Sequence, residues 1–197
     1  MQQCYSVEDY NPSHIQDIYN TLNHSLAKYK RVTLFRFDVH IPFVDLDDPR
    51  IYRVTQFTKA FLGSLNAKLK SMTGKTVDFN YIWCKEHNVT SGASMQHYHF
   101  ALLMDGNHFR SWGNYNYQGS SLKRCIEEAW ASALDYPIED CKRGIQFAST
   151  VTIDSYANRD CTEKYNEAVK MLSYLAKRYS KIQGQRCWGK SAQNHNR

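Results

Sequence analysis

The sequence predicts an α+β fold. Its core is a βαββαβ unit with an antiparallel central sheet and helices packed on it, and one further helix lies at each end. Three observations carry this. Four runs rich in β-branched and aromatic residues read as strands. Helical stripes separate the first run from the second and the third from the fourth. The two middle runs are joined by a polar loop of about ten residues, which suits antiparallel neighbours. This order is that of the split β-α-β, ferredoxin-like arrangement.

Each element follows from its own pattern. In residues 13–29, Ile15, Ile18, Tyr19, Leu22, Leu26 and Tyr29 recur at helical spacing. "RVTLFRFDVHI" (31–41) is the first strand, and Pro42 and "DLDDP" end it. Residues 51–72 place Val54, Phe57, Phe61, Leu65 and Leu69 on one helical face. "VDFNYIWCKE" (77–86) is the second strand. A polar loop with Gly92 leads to the third, at 97–104. The turn-rich "DGNHFRSWGNYNYQGS" precedes a helix over 121–134, and "GIQFASTVTI" (144–153) is the fourth strand. Residues 163–181 read as a last amphipathic helix. No repeat, low-complexity tract or long Pro/Gly linker interrupts the chain, so residues 1–197 form one expected domain.

Composition narrows the function. No stretch approaches the ~18 apolar residues of a membrane span, and the first residues lack the layout of a secretory signal. The six cysteines include no C-x-x-C pair, which argues against a zinc knuckle and for free thiols in a cytoplasmic protein. From Glu163 onward eight basic residues face two acidic ones, which accounts for the whole net charge of +6. A local positive field of this kind suits nucleic acid, and a solvated basic tail is the plainer alternative.

"MQHYHFALLMDG" (95–106) carries His97 and His99 on an otherwise apolar strand. Residues i and i+2 share a face, so the two imidazoles project together while Tyr98, Phe100 and Leu102 face the other way. A pair of this kind suits a divalent metal. Glu86 ends the preceding strand, and hairpin pairing brings it near His97. Two neutral histidines and one carboxylate leave coordination positions open, and they suit Mg²⁺ or Mn²⁺. Packed structural histidines are the alternative.

On the expected last helix, at ~100° per residue, Tyr174 shares a face with Lys170, Lys177, Arg178 and Lys181. Tyr179 lies roughly 140° away, among Leu172, Leu175 and Ala176, and reads as core. A phenol with an ordinary pKa near ~10 is a weak nucleophile. Neighbouring cations favour phenolate and attract phosphate. Tyr174 and Lys177 sit one helical turn apart, within reach of one phosphodiester. An exposed tyrosine on a basic helix is the alternative.

Together these motifs resemble the HUH (His-hydrophobic-His) endonucleases: "HYH", a Y-x-x-K match in "YLAK", and a first-motif strand in "VTLFRFDV". More narrowly, "YKRVTLFRFDV", "YIWCKE…HYHFALLMDG" and "YLAKRYSK…GQRCWGKS" resemble the inovirus-type replication, or YagK/YfjJ C-terminal, family over residues 28–191. The resemblance implies a divalent cation on His97, His99 and Glu86. It implies Tyr174 as the nucleophile, forming a 5′-phosphotyrosine, with Lys177 stabilising phenolate or phosphate. Some relatives use two tyrosines; the helical wheel favours one. Asp38 and His40 share a face with Arg36, and no role is assigned to them.

The expected substrate is single-stranded or locally melted DNA. Lys170, Arg178, Lys181, Arg186 and Lys190 are candidates for backbone contacts. No helicase domain is expected in this chain, so unwinding would fall to a helicase supplied by another protein. The implied role is replication of a phage, plasmid or satellite element in a bacterial host, or nicking of a competing phage genome. A catalytically inactive DNA-binding protein that keeps the fold is the alternative.

Overall fold

The computed structural model describes residues 9–41, 54–90, 93–113, 121–157, 160–178 and 186–192. Its elements are α1 (Pro12–Tyr29), β1 (Arg31–His40), α2 (Val54–Thr73), β2 (Asn80–Thr90), β3 (Ala93–Asp105), α3 (Leu122–Leu134), α4 (Ile138–Arg143), β4 (Ile145–Phe147), β5 (Val151–Asp154), α5 (Asp160–Ser173) and β6 (Trp188–Lys190). The six-stranded sheet is antiparallel, in the order β4-β1-β3-β2-β6, with β5 also pairing with β1.

Strand alternation sends two sets of apolar side chains to opposite faces. Phe35, Phe37 and Val39 of β1 and Tyr98, Phe100 and Leu102 of β3 pack under Phe61 and Leu65 of α2 and Ile126 and Trp130 of α3. On the other face, Val32, Leu34, Ala101 and Leu103 pack under Ile18 and Leu22 of α1 and Ala168 and Leu172 of α5. Each large side chain fully buried here contributes ~1.5–3 kcal/mol of transfer free energy. Local signals agree with this packing. Asn11 caps α1, its side-chain oxygen accepting from the Ser13 N–H at 3.0 Å, and Pro12 occupies the first turn. Ser121 caps α3 by accepting from Arg124 N–H.

Several expectations change. The fourth strand is two short strands. At Ala148 the backbone N–H still bonds Arg36 O, while its carbonyl accepts from Trp112 Nε1 at 2.8 Å, and the ladder breaks there. The short elements α4 and β6 carry too little periodicity to be expected. The hairpin is longer than the sequence pattern indicates, since β2 runs on to Thr90 and β3 begins at Ala93.

The largest change concerns the last helix. The continuous helix expected over 163–181 ends at Ser173, and Tyr174–Ala176 form a single 3-10 turn. Lys177 then adopts an extended backbone and bridges Tyr10. Asn11 N–H donates to Ala176 O and Arg178 N–H donates to Asp9 O, each at 2.9 Å. These tertiary backbone bonds replace the next helical turn, and helix propensity worth tenths of a kcal/mol per residue does not outweigh them. No described helix is long and apolar enough to cross a membrane. Cys84, Cys125, Cys141, Cys161 and Cys187 are free thiols.

Candidate metal and tyrosine site

The face of β1 that begins with apolar Val32 and Leu34 continues as Arg36, Asp38 and His40. The same face of β3 changes from Leu103 and Ala101 to His99 and His97. Register places Asp38 opposite His99 and His40 opposite His97. On the other side of β3, Glu86 of β2 lies opposite His97. One half of this sheet face is therefore apolar and lies against α1 and α5, and the other half is a cluster of ionisable groups.

Glu86, His97 and His99 are all buried, and one donor atom from each lies within 4.8 Å of the others. Glu86 Oε2 is 3.5 Å from His97 Nε2 and 3.2 Å from His99 Nε2. Bonds of ~2.1 Å at right angles place neighbouring donors about 3.0 Å apart, so small side-chain movements close this set on a divalent cation. The triad can hold a metal ion, and its nitrogen–oxygen donor set suits a borderline cation.

His99 is gripped on both edges. Its Nδ1 lies 2.6 Å from Asp38 Oδ1 while its Nε2 faces Glu86. Burial, the largest single influence, lowers its pKa, but the two carboxylates outweigh it and the net shift is upward from 6.5. Burial likewise tends to raise the Asp38 pKa. His99 and Arg36 overcome that and hold the carboxyl below its usual range. His40 stacks on His97, with centroids 5.2 Å apart and planes 18° apart. Burial, then the neighbouring His97, pushes the His40 pKa down.

The end of α5 brings Tyr174 to this cluster. Its ring meets the His99 ring edge-on, with centroids 5.5 Å apart and planes 84° apart. Arg36 Cζ lies 4.4 Å from the Tyr174 ring centroid and Lys177 Nζ lies 3.3 Å from it. Tyr174 is 36% exposed, whereas Lys177 is 1% exposed. Tyr174 and Lys177 do lie together, but not by the arrangement that the sequence suggests. Lys177 is buried against the ring and does not share an exposed helical face with Lys170. The second cation is Arg36, which the sequence places on a distant strand.

The expected backbone-contact residues do not form one helical surface. Lys170 is exposed on α5, and Arg178 and Arg186 are exposed beyond it. Arg186 lies 5.8 Å from the Trp83 ring. Lys190 belongs to β6 and pairs with Asp17 at 2.7 Å. Lys181 and Tyr179 lie outside the described residues. Sequence reasoning left Arg36, Asp38 and His40 without roles. The available signal was the period-two polar run that continues an apolar face of β1.

Residues 2–191 match the sequence profile of the YagK/YfjJ C-terminal domain family. The chain is also similar to the uncharacterized protein YfjJ of Escherichia coli (strain K12), with 23% identity over 183 residues, covering 85% of this chain and 86% of YfjJ. No solved structure matches.

Proposed function

The chain belongs to the YagK/YfjJ C-terminal domain family, and from that premise we propose that it is a metal-dependent nickase of single-stranded or locally melted DNA. The observation that carries this reading is the Tyr174 ring lying against His99 of the Glu86–His97–His99 triad. A candidate nucleophile from the end of α5 and a candidate metal site on β2 and β3 meet although they are far apart in the chain.

In this reading Glu86, His97 and His99 hold Mg²⁺ or Mn²⁺. The bound cation supplies Lewis-acid polarisation of the scissile phosphate. Tyr174 Oη attacks phosphorus in line as its proton passes to solvent water. The new bond is a 5′-phosphotyrosine. The phosphorus–O3′ bond breaks, and the leaving oxygen takes up a proton as a free 3′-hydroxyl. Phosphodiester energy is conserved in the phosphotyrosine, so attack by a 3′-hydroxyl reverses the step and joins strands. Lys177 and Arg36 place positive charge beside the ring that becomes anionic.

The strand order β4-β1-β3-β2, with α2 and α3 on one face, supports reading the core as ferredoxin-like. The biological setting we propose is a mobile element in the bacterial cytoplasm. The enzyme would either initiate that element's rolling-circle-type replication, with a helicase borrowed from another protein, or nick a competing genome.

The test is covalent capture. Incubate the protein and Mn²⁺ with a pool of 3′-labelled single-stranded oligonucleotides, denature, and sequence the captured 5′ ends. A denaturant-stable adduct is expected that EDTA prevents. DNA binding with no adduct in any pool would overturn the nickase and favour the non-catalytic DNA-binding alternative.

A further inference from the structure

We propose that Arg36 and Asp38 of β1 form one positioning pair, shared by the metal ligand His99 and by Tyr174. The inference rests on the reading of Glu86, His97 and His99 as a metal site, and it concerns what holds that site in register with the tyrosine.

Asp38 Oδ1 lies 2.6 Å from His99 Nδ1. An imidazole held by a carboxylate at Nδ1 presents Nε2 to the metal. Such outer partners fix both tautomer and ring orientation. Here Nε2 is the atom that faces Glu86, at 3.2 Å. Asp38 is in turn held by Arg36, whose Nη2 donates to Oδ2 at 3.2 Å and approaches Oδ1 at 3.4 Å. The two residues are i and i+2 on one strand, so their side chains leave the same face together. The Arg36 guanidinium also lies over the Tyr174 ring, with Cζ 4.4 Å from the centroid. A cation over an aromatic face in a partly desolvated site is attracted by the ring quadrupole.

Arg36 Nε is buried and has no hydrogen-bond partner among the described residues. An arginine kept to brace the fold would ordinarily use that donor. Among the described residues, Asp38 and the Tyr174 ring are its charge and aromatic contacts. The pair thus links β1 to β3 through His99 and to the end of α5 through Tyr174. Asp38 and Arg36 are positioning residues: Asp38 acts on the cation through His99, and Arg36 acts on the reaction through the placement of Tyr174.

The experiment reads metal binding first, without catalysis. Mn²⁺ is titrated into the full chain and the free ion is followed by electron paramagnetic resonance. Asp38→Ala is expected to weaken Mn²⁺ binding ~10–100-fold. Asp38→Asn keeps the shape and an acceptor oxygen, and is expected to lose less than Asp38→Ala. This second variant keeps the test decisive if Asp38→Ala fails to fold. Arg36→Ala is expected to hold Mn²⁺ more tightly than Asp38→Ala does. At saturating Mn²⁺ and oligonucleotide it should nevertheless slow adduct formation at least ~10-fold, with oligonucleotide affinity changed less than ~3-fold. A wild-type chain that takes up no Mn²⁺ would overturn the metal reading and this inference together. Wild-type binding with undiminished affinity in both Asp38 variants would overturn the positioning pair alone. An adduct rate in Arg36→Ala equal to that of wild type would remove the link to Tyr174.

Discussion

At the scale of the residue, four side chains give sharp tests. Tyr174→Phe removes one hydroxyl and keeps the ring that Arg36, Lys177 and His99 contact. It should retain stability and oligonucleotide binding and lose the covalent adduct. Tyr179→Phe should keep adduct formation within ~10-fold, since ~1.4 kcal/mol covers an indirect effect on positioning. Tyr98, the middle residue of "HYH", points into the opposite core, and its buried hydroxyl has no partner among the described residues. Tyr98→Phe should therefore stabilise the protein by about 1 kcal/mol, raising Tm ~2–4 °C in a thermal melt. His99 sets the pH dependence. Its pKa is raised in the fold, so the stability it contributes to the metal-free chain is complete below its ordinary value of 6.5. That contribution is lost as pH rises through the raised value. A cation must displace the same proton, so Mn²⁺ affinity should climb across that window, by up to ~10-fold per pH unit, in titrations at several pH values. A flat profile would show that His99 does not bind the cation.

At the scale of the element, the edge strand β6 is a test of how β2 is held. Gly189 lies opposite Trp83, and a Cβ there would meet Trp83 Nε1 at 2.4 Å. That neighbour is a rigid ring, so Gly189→Ala should destabilise by ~1–3 kcal/mol through overpacking. Urea denaturation would read the loss, and limited proteolysis should show earlier cutting C-terminal to residue 186. β2 also carries Glu86, so Mn²⁺ affinity should fall along with stability. The end of α5 shows how local and tertiary signals divide the work. The stripe of Ala168 and Leu172 makes the helix and seats it on the sheet. Its termination comes from the backbone bonds of Ala176 and Arg178 to the segment before α1. That stop turns Lys177 inward over the Tyr174 ring.

At the scale of the whole molecule, the positive charge is spread over α5, the segment after it and β6. Ion pairs already engage part of it. Replacing Lys170 and Arg178, both exposed, should weaken oligonucleotide binding for every sequence. It should also flatten the salt dependence by ~0.7 in log–log slope for each phosphate that the variant no longer neutralises. Lys190→Ala should leave that slope unchanged, because Lys190 is paired with Asp17. Fluorescence anisotropy across a salt series checks both statements. A common slope change for all three lysine and arginine sites would restore the continuous basic surface.

The residue pattern by itself determined the hairpin, the two helices over its back, the shared face of His97 and His99, and Glu86 as their neighbour. Each follows from a period of two or 3.6 residues and from short-range pairing, which sequence spacing expresses directly. The last helix shows the limit. Its stripe predicts a continuous helix, yet the bonds that end it join opposite ends of the chain, Ala176 to Asn11 and Arg178 to Asp9, and no local period encodes them. For the same reason, the sequence pairs Tyr174 with Lys177 but leaves Arg36 and Asp38 unassigned. The polar run of β1 marks a site on an apolar face. Tertiary structure alone decides that β3 lies beside β1 in a register that sets Asp38 against His99, and that α5 ends above Arg36. Register and helix termination are settled by long-range backbone hydrogen bonds and core burial, and these are where the candidate site is assembled.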